Sequence, residues 1–199
     1  MIKKAFSVVS VRAPLALALV VIVSGLGCAK NSADLRLTCL ESNNAFTQQF
    51  PKAYISKGAE GNTEIVLVND TPTATGSADV RQVMHVKVLW RPQKGTKQGH
   101  PSYTNAALHW YVIDGADVLE YTGAGFVAMG DAIGGTKVTI RNATVKPTAS
   151  FKGSLSDPIG AASLKGSFVA KKSAKRVNDL LAEVRNAAGN APAQQASAR

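Results

Sequence analysis

The chain has 199 residues, of which 23 are Lys or Arg and 13 are Asp or Glu, giving a formal charge of +10. That length holds one domain with a sizeable core once the two ends are set aside, while two cysteines exclude a disulfide scaffold and a four-thiolate zinc site. The basic balance suits anionic lipid headgroups or acidic envelope polymers; no RNP, zinc-finger or helix-turn-helix pattern points to nucleic acid.

Lys3, Lys4 and Arg12 accompany an apolar run from Pro14 to Val23, and small residues follow at Ser24, Gly25 and Gly27. The run falls short of the about 20 apolar residues that a spanning helix needs, so residues 1–27 read as an export signal. Its removal takes three basic residues, leaving 20 against 13 acids, or +7. Cys28, directly after Gly27, resembles the cleavage box of bacterial lipoproteins, in which the cysteine becomes the lipidated first residue. Gly25 stands where that box has Leu, and Leu26 sits one position late. The resemblance covers the signal alone. It implies a lipid anchor at Cys28 and a place at a membrane of the cell envelope. Ordinary cleavage after Gly27 also fits; it leaves Cys28 free to bridge Cys39. An uncleaved anchor is the third reading. With Cys28 lipidated, Cys39 is a lone, buried thiol.

Residues 28–33 form a polar tether, and a β-rich domain is expected over residues 34–188. Leu35, Leu37 and Cys39 alternate. The polar stretch around Phe46 and Phe50 fits a short strand or an amphipathic helix, and the reading leans to a helix over residues 42–49. Lys52 to Lys57 and Thr63 to Asn69 read as a hairpin around GAEGN, followed by a loop from Asp70 to Asp79.

Three strands between Val80 and Met129 are expected to anchor the core. Met84, Val86, Val88 and Trp90 share one parity, against His85, Lys87, Leu89 and Arg91. Leu108, Trp110 and Val112 likewise alternate with His109, Tyr111 and Ile113. This period of two, carried by β-branched and aromatic residues, marks strands with one face inward. Asp114-Gly115 suits a tight turn. The glycines from Gly123 to Gly135 lack a following GK[ST], so bulges or close backbone approach explain them better than a phosphate loop. Val138 and Ile140 point another strand inward. FKGSL at residues 151–155 and LKGSF at residues 164–168 read as a hairpin, with Phe151 opposite Gly166. Ser173 is the N-cap of a helix over residues 173–188, with Val177, Leu180, Leu181 and Val184 on one stripe. Residues 189–199 read as a disordered tail.

The fold class expected is all-β: a single antiparallel sandwich or incomplete barrel of about eight strands with a C-terminal helix. Lys94, Lys97 and His100, on the acid-free connection from Pro92 to Asn105, collect positive charge together with Arg91 just before it, and these four are the candidates for anion binding. Pairing the Trp90 and Ala106 ends puts His85 opposite Tyr111. The two strand histidines are then diagonal neighbours about 7–8 Å apart, with no carboxylate beside them, so neither metal nor other cofactor is expected. There is no GxSxG elbow and no paired-acid cluster. The function expected is a non-catalytic envelope lipoprotein that binds or scaffolds anionic partners. An apolar-ligand carrier with a site inside the barrel is the alternative, and a hydrolase of unrecognised type the third.

Overall fold

In most strands buried and exposed side chains alternate, so each strand has a face to place against a core. The computed structural model describes residues 32–58, 60–70, 80–93, 103–148, 155 and 157–189. Those residues form strands β1 (Ala33–Cys39), β2 (Ala45–Phe50), β3 (Lys52–Lys57), β4 (Thr63–Asn69), β5 (Arg81–Val88), β6 (Ala106–Asp114), β7 (Asp117–Ala132), β8 (Gly135–Pro147) and β9 (Ala162–Lys172). Helix α1 (Ala174–Gly189) follows. The signal, Cys28, the tether to Asn31, and Lys94, Lys97 and His100 lie outside the described residues, as do Phe151 to Ser154 and the tail from Asn190.

β3 to β9 form a closed seven-stranded barrel, with β1 and β2 as two extra strands. The pairing is antiparallel from β3 through β9, and one parallel contact between β9 and β3 shuts the ring. β9 therefore has three neighbours. β8 runs along one edge, β1 covers residues 162–166 of the other, and β3 takes over at Lys171 and Lys172. Leu35, Phe50, Met84, Leu108, Trp110 and Tyr121 help to fill the interior. A second cluster lies outside the wall, where Val177, Leu180 and Val184 of α1 cover Val66, Val68 and Val83. Ser173 caps that helix, its Oγ accepting from Arg176 N–H at 3.4 Å.

The expected β architecture and C-terminal helix are present. Four local readings need correction. Residues 42–49 are not a helix: Asn43 at φ 56° turns the chain, and β2 pairs back along β1. The open edge of β1 offers backbone partners that outweigh a weak helical pattern. Trp90 is not in the core. β5 ends at Val88, Leu89 N–H closes the last rung on Asn105 O, and Trp90 is left 42% exposed against the edge of Phe126.

The β5–β6 register also differs, with Val88 rather than Trp90 opposite Ala106, so His85 faces His109 directly. A slip of two residues preserves both faces and changes every partner. Finally, no hairpin partner can pair with β9 at Leu164 and Gly166. There Leu37 and Leu35 of β1 occupy one edge, and Ala143 and Ile140 of β8 the other. The glycine-rich part of β7 behaves as close backbone approach predicts. A Cβ on Gly123 would strike Thr144 O, and one on Gly125 would strike Ala143, beside the irregularity between Ala124 and Phe126.

Candidate functional site

Following the inward positions toward one end of the barrel shows how a site arises there. Ala53 and Ile55 on β3 are followed by Lys57; Phe168 and Ala170 on β9 by Lys172; Ile65 on β4 is preceded by Thr63; Val138 on β8 by Thr136. The register sets Lys57 opposite Thr63, Ile55 beside Lys172, and Thr136 opposite Ala170. Apolar layers thus give way to hydroxyls and ammonium groups at the last rung. Arg91, just past the end of β5, joins them.

The result is an open cup of about 520 Å3 lined by Lys57, Arg91 and Lys172 together with Ser56, Thr63, Thr136 and Ser173. None of the described residues that line it is acidic. None of the three cations forms an ion pair with a described residue. Ser173 N–H donates to Ile55 O at 3.0 Å, which fixes the start of α1 at the rim. The positive end of the helix macrodipole therefore adds to the field of the three side chains. Such an arrangement can hold a phosphate or carboxylate group.

Of the candidates read from the sequence, Arg91 lies in this cup, while Lys94, Lys97 and His100 fall outside the described residues. Lys57 and Lys172 were missed. Their signal was the ends of two strands that closure brings to one rim, and nothing in the sequence paired those strands.

A second polar constellation crosses the outer face of β4 to β7. Glu64 meets His85 Nε2, the rings of His85 and His109 stack with centroids 6.2 Å apart, and His109 Nδ1 lies 2.9 Å from Glu120 Oε1. Burial holds the His85 imidazolium pKa below its usual value. The bond and charge of Glu64 oppose that shift, and the charges of His109 and Lys87 reinforce it. The carboxylates that sequence reasoning did not find come from the two flanking strands. Among the described residues no group of three or more His, Cys, Asp or Glu side chains is placed to hold a metal ion.

Cys39, on β1, is a buried thiol. Comparison of the chain with models of protein families, with curated proteins and with solved structures finds no match.

Proposed function

We propose that the chain is a non-catalytic binding module of the cell envelope, held at a membrane through lipid on Cys28, whose basic barrel mouth takes an anionic group. The observation that supports this reading is the convergence of Lys57, Arg91 and Lys172 on one cup with no acid among its described lining residues. Like charges held together repel one another and gain by sharing an anion. The cations are exposed, so their field is screened over about 8 Å at physiological salt, which favours weak, salt-sensitive contact with headgroups or acidic polymers.

The experiment is a vesicle-binding titration comparing phosphatidylglycerol with phosphatidylcholine. Binding to the anionic vesicles alone is expected, and it should fade as salt rises. Changing Lys57, Arg91 and Lys172 together to Gln should abolish it while leaving the melting temperature in place. Binding that survives both high salt and the triple substitution would remove the cup from consideration. The anchor is tested separately: Cys28→Ser should move the protein out of the membrane fraction of its host, and a wild-type N-terminus without acyl mass would overturn that part.

A further inference from the structure

At the opposite end of the barrel the inward positions have a different character. Beyond Met84 on β5 comes Gln82, beyond Trp110 on β6 comes Val112, and before Tyr121 on β7 stands Leu119. They open onto a pocket of about 410 Å3, bounded on its far side by Phe46 of β2 and by Pro158 and Ile159. That size lies within the ~300–1,000 Å3 usual for small-molecule sites. Among the described residues that line it, none is charged. The outer wall is held in place, because Asp157 Oδ1 accepts from Tyr121 OH at 2.6 Å, from Ile159 N–H at 3.0 Å and from Gly160 N–H at 2.9 Å.

Two of the lining residues each carry a buried polar atom without a partner, the donor Trp110 Nε1 and the acceptor Gln82 Oε1. The other such buried side-chain atom among the described residues, Arg81 Nε, sits 2.8 Å from Asp70 Oδ1 in an ion pair. So one unmade donor and one unmade acceptor belong to the same apolar pocket, where an unmade hydrogen bond is costly. A hydroxyl group offers both the acceptor that the first lacks and the donor that the second lacks. A carboxylate offers only acceptors and leaves Gln82 Oε1 unmatched, whereas a hydrocarbon leaves both atoms unmatched. Water offers the same two functions but would not fill the apolar remainder.

We propose that this pocket binds a small neutral amphiphile with an alcohol head, its oxygen accepting from Trp110 Nε1 and its proton directed to Gln82 Oε1. The aliphatic body lies against Phe46, Val112, Leu119 and Ile159. This site is at the other end of the barrel from the basic cup, and neither depends on the other.

The test uses the full chain carrying Trp90→Phe, which leaves Trp110 as the only one of the two indoles. Its indole N–H is followed by 15N NMR as 1-hexanol, hexane or hexanoate is added. 1-Hexanol should shift the signal saturably, and more tightly than hexane or hexanoate does. Adding Gln82→Leu should weaken 1-hexanol roughly tenfold, the size of one buried neutral hydrogen bond, and leave hexane unchanged. Absence of a saturable shift overturns the proposal. So does equal affinity for 1-hexanol and hexane, or binding of hexanoate as tight as that of the alcohol. Should Gln82→Leu fail to fold, the comparison of 1-hexanol with hexane in the Trp90→Phe chain decides alone. An indole signal that contacts slowly exchanging water and ignores all three probes identifies water as the partner and likewise overturns it.

Discussion

Trp110 and Trp90 have the same chemistry and the same expected parity, yet one is 1% and the other 42% exposed. The difference lies in Asn105. Its side-chain amide donates to Trp90 O at 3.0 Å and to Val127 O at 2.9 Å, and its Oδ1 accepts from Val127 N–H at 2.7 Å. Wholly buried, it ties the exit of β5 to the middle of β7 and turns Trp90 out of the barrel. An asparagine just before an apolar strand reads from sequence as turn chemistry, so this role was not legible. Trp110→Ala should cost about 3–5 kcal/mol in chemical denaturation, as loss of a buried indole does. Trp90→Ala should cost less than about 1 kcal/mol. Asn105→Ala should cost roughly 3 kcal/mol, because several backbone groups then stay buried without partners. An Asn105→Ala variant as stable as Trp90→Ala would show that water replaces the amide.

Among the elements, β5 and β6 show what alternation can reveal. Periodicity identified Met84, Val86, Leu108 and Trp110 as inward, and they are buried. It could not choose between registers two residues apart, since both place the same side chains inside. That choice put His85 beside His109 rather than diagonal to it, and so determined the polar row on the outer face. β2 was illegible for another reason: its residues before Phe50 are exposed or half-exposed, so no period of two is imposed on them. The partly buried His85 gives this face a pH dependence. His85 has its pKa lowered from 6.5, chiefly by burial, so near that pH the unfolded chain binds the proton more readily. Stability is therefore full above pH 6.5 and falls as the pH drops through 6.5 toward the lowered folded value. Denaturation midpoints measured from pH 8 to pH 5 should decline on acidification, and His85→Gln should flatten that slope. A slope unchanged by His85→Gln would place the titrating group elsewhere.

For the molecule as a whole, the meander from β3 to β8 is sequential and could be read locally, whereas closure could not. It depends on β9 meeting β8, β1 and β3, contacts between residues far apart in sequence and including one parallel pair without its own sequence signal. Gly166 lies where β1 and β8 both border β9. A Cβ there would come within 2.6 Å of Leu35 Cδ2 and 2.8 Å of Asp34 O, so a side chain must push β1 off the barrel. Gly166→Val should consequently loosen β1 and β2 before the rest. In native-state hydrogen exchange the amides of Leu35 and Leu37 should lose protection, while those of Val86 and Trp110 on β5 and β6 keep most of theirs. The barrel can keep its parallel β3–β9 contact under this change, because Lys171 and Lys172 lie beyond the altered residue. Equal loss of protection at all four amides would mean that the two extra strands and the barrel open as one unit, and that the β1–β9 contact is as indispensable as the parallel one.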